Sequence, residues 1–93
     1  MDMNIVIALE VISYLDTEFD THDFIQKLLE RHPEVYGQSL VQHSENGGSV
    51  ATVDGEISSF LARHASDLHI SKIGDVPSAN ILGNISDNAK WRK

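Results

Sequence analysis

The chain has 93 residues, no cysteine and a formal net charge of −7, with 41% apolar and 23% charged side chains. That length suits one small domain, and the composition is that of a globular chain rather than a disordered one. Lack of cysteine excludes disulfides, thiolate metal sites and a cysteine nucleophile, while the acidity works against long-range attraction to polyanions.

The first apolar run, MDMNIVIALEVISYLD, places Ile5, Leu9 and Ile12 on one helical stripe that Ala8, Val11 and Leu15 widen. Its β-branched residues leave a strand open for residues 4–9, but the spacing continues to Leu15 and favours a helix over about residues 3–16. Asp2 stands where a signal peptide has basic residues, Glu10 interrupts the run, and the run is shorter than the roughly 18–20 apolar residues of a membrane span. The expectation is a cytoplasmic protein with no membrane partner, in which the sequon Asn84-Ile85-Ser86 is accidental. The stripe over residues 5–15 is more apolar than a small core requires, so it is a candidate homodimer surface.

The next start signal is FDTHDF. Asp20 suits an N-cap with Asp23 at the third helical position, and Phe19 and Phe24 occupy the two staple positions. Ile25, Leu28 and Leu29 follow on one face of a helix over about 21–32. Pro33 suits the first position of another, over about 33–43, with Val35, Tyr36, Leu40 and Val41 inward. Asn46-Gly47-Gly48 reads as a turn, and SVATV as a short edge strand. Asp54 then reads as the cap of a helix over about 55–69, with Ile57, Phe60, Leu61, His64 and Leu68 on its stripe.

Beyond Ile70 the pattern breaks into short extended runs punctuated at Gly74-Asp75, Pro77-Ser78 and Gly83-Asn84, with Ile73, Val76, Ile81 and Ile85 as apolar anchors. Ala89 and Trp91 alternate with Lys90 and Arg92, as in a half-buried strand, so a β-hairpin is expected over about 70–92. The expected fold class is α+β, mainly helical: three to four helices and then a C-terminal β-hairpin, the winged-helix order of parts, in one compact domain 1–93. Phe19, Phe24, Leu28, Ile57, Phe60, Leu61 and Trp91 are the expected core, with Trp91 as a plug rather than a stacking platform.

The stretches THDFI, PEVYG, GEISSFL and NILGN, with the closing W-x-K, carry a resemblance spanning most of residues 21–93. In them the chain resembles a loose group of small uncharacterised proteins from phages and other mobile elements. The resemblance implies a compact helical domain with a wing-like hairpin, an unassigned role and no catalytic residue to carry over.

The residues themselves argue against several chemistries. None of the five histidines forms a His-Glu-x-x-His pattern or an i, i+4 pair, so no metal is expected. The acids from Asp16 to Asp23 look at first like a calcium loop, but Thr21 stands where glycine is needed and Lys27 where the bidentate glutamate belongs. Gly37-Gln38-Ser39 is not a nucleophile elbow, because Val41 replaces its closing glycine. Gly47-Gly48-Ser49 lacks the lysine of a phosphate loop. No catalytic residue and no cofactor is expected, and the chain reads as non-enzymatic.

Two binding readings remain. Residues 1–70 hold twelve acids against three bases, whereas residues 71–93 hold two acids against Lys72, Lys90, Arg92 and Lys93. Those four, with Ser58, Ser59 and Arg63 on the helix before the hairpin, are the candidate partner or nucleic-acid contacts. That helix shows one arginine and few base-reading side chains, so nucleic acid would be held mainly through phosphates on the hairpin. The favoured reading is a protein-interaction or regulatory module, which presents a helix groove or a hairpin edge to an unidentified protein partner.

Overall fold

The computed structural model describes residues 3–38 and 50–93, and every structural statement below concerns these. The first helix, α1 (Ile5–Ser13), is a helix rather than a strand and is shorter than its apolar run. Asn4 caps it, the side chain accepting from the Ile7 N–H at 2.9 Å. Ala8, Val11 and Ile12 are buried, whereas Val6 and Leu9 stay largely outside. Leu9 was expected on the inward stripe; the core takes up a face rotated away from it.

After α1 the chain turns into a short strand that hydrophobic spacing does not announce, β1 (Glu18–Asp20). Asp20 ends that strand and also caps α2 (Thr21–Arg31). Its Oδ1 accepts the Asp23 N–H at 2.7 Å, and Asp23 Oδ2 accepts the Asp20 N–H at 3.0 Å. This reciprocal capping box satisfies two donors that a bare helix start leaves unpaired. Phe24, Ile25 and Leu28 form the buried face of α2. A helical run over 33–38 (α3) follows, led by Pro33 and burying Val35 and Tyr36. The expected continuation to residue 43, with Leu40 and Val41, and the turn at Asn46-Gly47-Gly48 lie outside the described residues.

Helix α4 (Val50–Arg63) corrects two expectations at once. The stretch from Val50 to Val53 is helical rather than an edge strand, and Asp54 sits inside the helix, buried, instead of capping it. Val53, Ile57, Phe60 and Leu61 continue one helical stripe across Gly55, whose cost in helix propensity the packing overrides. The helix also stops early. His64 departs from helical geometry, a single turn α5 (Ala65–Leu68) follows, and His69 closes it in the left-handed region at φ 58°. The Ile70 N–H then reaches the Ala65 carbonyl at 3.0 Å, which terminates the turn with a backbone bond.

The hairpin is β2 (Ser71–Ala79) and β3 (Ile85–Arg92), antiparallel, with an irregularity between Lys72 and Gly74. Asn80 builds its turn: Oδ1 accepts the N–H groups of Leu82 and Asn84, and Gly83 takes the positive φ of 83° that the turn needs. β1 pairs with β3, Phe19 opposite Trp91, so the sheet order is β1-β3-β2 with the last strand central. The fold is α+β, with helices packed on a three-stranded antiparallel sheet in a winged-helix-like layout. Phe19, Phe24, Leu28, Ile57, Phe60, Leu61 and Trp91 are all buried in one core.

The four anchors expected inward on the hairpin are the main departure. Val76 is half-buried, but Ile73, Ile81 and Ile85 are exposed, as is Leu82 in the turn. Ile73 lies at the irregularity between Lys72 and Gly74, whereas Ile81, Leu82 and Ile85 cluster around the turn at the far end of the hairpin.

Candidate interaction surface

Two residues at the start of α2 hold the hairpin in place. Thr21 Oγ1 accepts the Trp91 indole N–H at 3.0 Å and lies 3.3 Å from Ser58 Oγ on α4. His22 donates its backbone N–H to Asn88 Oδ1 at 3.0 Å, and its Nδ1 pairs with Ser78 Oγ at 2.8 Å. Asn88 Nδ2 in turn donates to the Val76 carbonyl and to Ser78 Oγ, each at 3.0 Å. One asparagine therefore spans both strands and a helix start. The α2 N–H that it accepts is a donor with no partner inside its own helix.

Between α4 and the hairpin this framework leaves a cleft of about 480 Å³, lined by Thr21, His22, Asp54, Ser58, Asp87 and Asn88 among others. Asp54 closes its inner end. Its Oδ1 accepts the Tyr36 hydroxyl at 2.7 Å, a buried bond that ties α3 to α4. Burial raises the Asp54 carboxyl above the usual range, and the Tyr36 bond and the nearby His22 charge oppose that only in part. Burial, helped by the Asp54 charge, pushes the Tyr36 hydroxyl far above its ordinary value. The pair is thus a neutral phenol donating to a carboxylate that gains from neutralisation.

The expected basic contacts do not gather into one face. Lys72 Nζ is 3.2 Å from Asp75 Oδ1. Arg92 donates to Glu18 Oε2 through Nη2 at 2.8 Å and through Nε at 3.3 Å. This neighbour, with Lys90 close by, lowers the Glu18 carboxyl below the usual carboxylate range. Lys93 Nζ donates to the Leu15 carbonyl, and its N–H to the Thr17 carbonyl at 2.8 Å. Lys90 is half-buried on β3. Of the α4 candidates, Ser58 faces the cleft half-buried, whereas Ser59 and Arg63 are exposed.

The far end of the hairpin is apolar. Leu82 is 64% exposed, Ile85 69% and Ile81 37%. Asn80 sits at the edge of the cleft and also of a second groove of about 340 Å³, where Ile81 faces Gln26 and Leu29 of α2. The tip therefore stands between two depressions, one on each side. A third depression, about 310 Å³, runs along α2 from Asp23 to Glu30 and is mainly acidic, with Asp16, Glu18, Asp23 and Glu30 around it beside Lys27.

Sequence reasoning missed His22, Asp54, Asp87 and Asn88 as well as the exposed tip. The signal for Asp54 was present, since Val53 and Ile57 continue the stripe back through it. No local pattern marks Asn88, whose partners lie on β2 and on α2.

Among the described residues no group of three or more His, Asp or Glu side chains is placed to hold a metal ion. No described helix is long and apolar enough to cross a membrane. Comparison with family models, curated proteins and solved structures returns no match to this chain.

Proposed function

We propose that this chain is a small non-enzymatic module that binds another protein through the α4–hairpin side of its winged-helix-like domain. The observation that carries the reading is the inverted chemistry of the hairpin. Its bases sit at the root, Lys72 beside Asp75, Arg92 on Glu18 and Lys90 half-buried on β3, while its tip exposes Ile81, Leu82 and Ile85. A phosphate-binding wing needs free cations at the tip, whereas an exposed aliphatic cluster is what a protein partner buries. On α4 the exposed positions toward the cleft are Ala51 and Gly55, which offer no base-reading group. Strand addition to β2 is the weaker route for a partner. That edge carries Lys72, Pro77 and the irregularity at Lys72/Gly74, all features that discourage pairing.

The test is binding to labelled mixed-sequence duplex DNA, followed by anisotropy at low and at moderate salt. The expected outcome is no saturable binding in the micromolar range at either salt. Saturable binding that falls steeply with salt and is lost in Arg63→Ala with Lys90→Ala would overturn the proposal and make the domain a nucleic-acid binder.

A further inference from the structure

The aliphatic tip runs directly along β3 into an exposed acid. Ile81, Leu82 and Ile85 are exposed, and Asp87 follows two residues along β3, also exposed. Ser86, Asp87 and Asn88 wall the cleft on the hairpin side, and Ala51, Gly55 and Ser58 wall it on the α4 side. A Cβ added at Gly55 would meet nothing within 4 Å, so that wall is open to close approach.

The charge of the tip and of the β3 wall has one sign. From Ala79 to Asn88 the chain contains no Lys or Arg. Lys72, the one lysine on the cleft among the described residues, is already beside Asp75. Among the described residues Asp87 has no ion-pair partner at the rim, and Asp54 lies behind it. The net charge of −7 adds a long-range field of the same sign.

We infer that the hairpin tip and the adjoining cleft dock a basic amphipathic segment of the partner protein. Its aliphatic side chains cover Ile81, Leu82 and Ile85, and a Lys or Arg reaches Asp87. The inference rests on the protein-binding reading above and adds the site and the partner's chemistry. The aliphatic cluster dictates the apolar half of the partner, and Asp87 dictates the sign of the other half. A second copy of this chain is a poor occupant, because like net charges repel and its Arg92 and Lys72 are already engaged. An anionic lipid surface fails on the same charge argument.

The experiment is a titration of the isotope-labelled full chain, followed by backbone amide shifts. The probes are a short synthetic Leu/Lys amphipathic peptide and its Leu/Glu counterpart. With Leu/Lys, shifts are expected at residues 81–87 and at Ser58, and with Leu/Glu none. Leu82→Ser combined with Ile85→Thr should weaken Leu/Lys binding about tenfold. Asp87→Lys should abolish the preference for Leu/Lys over Leu/Glu. All three positions are exposed, and unchanged shifts in the core certify that the variants fold. Equal binding of the two peptides, no shifts, or shifts centred on the acidic depression at Asp16, Glu18 and Asp23 would each overturn the inference. The last of these leaves the protein-binding reading standing, whereas failure of that reading appears in the DNA titration.

Discussion

The root and the tip of the hairpin are built from the same two strands and meet opposite fates. At the root, Ala89 and Trp91 are buried, the indole N–H is bonded to Thr21, and Phe19 lies across from Trp91 on β1. At the tip, Leu82 and Ile85 are as apolar as anything at the root, yet they are largely exposed, and Ile81 is only partly covered. The difference lies in what passes over each part. Strand β1 and the start of α2 hold the root by pairing and hydrogen bonds, whereas at the tip an open groove lies between Ile81 and Gln26 and Leu29 of α2. Apolar character in a strand therefore reports what the chain can bury, and the neighbouring layer decides what it does bury.

This contrast is tested most severely at the root. Trp91→Ala should destabilise the domain by about 3–5 kcal/mol, since it opens a large cavity and leaves Thr21 without its donor. Urea unfolding of the variant checks this, and a midpoint equal to the parent's would mean that the root is not part of the core. Asn88→Ala is the next largest, with an expected loss of about 1–3 kcal/mol, because the His22 N–H and the Val76 carbonyl both lose their side-chain partner. Faster amide exchange at His22 should accompany it. An unchanged exchange rate there would argue against Asn88 as the pin.

Asp54→Asn sharpens the comparison from inside the cleft. Burial raises the Asp54 carboxyl in the folded state, so its stabilising share is fully present below the unfolded value of 3.8 and is lost as pH rises through the folded value. Asparagine keeps an acceptor for the Tyr36 hydroxyl without the charge. The variant should therefore melt higher than the parent at neutral pH, with the gap closing as pH falls toward 3.8. A gap independent of pH would assign the effect to packing. At the tip the effects should be smallest: Leu82→Ser and Ile85→Thr are each expected within about 0.5 kcal/mol of the parent in thermal melts. A larger loss would mean that the tip is part of the folded core after all.

The parts of this architecture that the sequence discloses are those with local causes. The capping box at Asp20 and Asp23, the staple of Phe19 and Phe24, and the alternation of Ala89 and Trp91 each need only a few neighbouring residues, and the structure places each as expected. β1 escapes notice because three residues carry no period of their own; β3 makes Glu18–Asp20 a strand. Asp54 is misread because an acid before a glycine is a good cap signal, and only the Tyr36 hydroxyl from α3 explains an aspartate inside a helix. The four hairpin bases are legible as residues but not as a set. The engagement of Arg92 with Glu18, Lys72 with Asp75 and Lys93 with the Leu15 carbonyl depends on register and on the turn after α1.

The pairing of β1 with the central strand also governs how the chain reaches this state. Glu18 and Arg92, bonded side by side, are 74 positions apart, and so the sheet cannot complete until nearly the whole described chain has been brought together. The capped start of α2 and the hairpin turn at Asn80 form from nearby residues and are available early. Closing β1 onto β3 is a long-range event whose entropic cost is met before its contacts are gained. Until β1 joins, the backbone of β3 at Lys90 to Arg92 lacks the strand partner that the finished fold gives it. The step most open to misassociation is therefore the joining of this three-residue strand, the smallest element in the sheet.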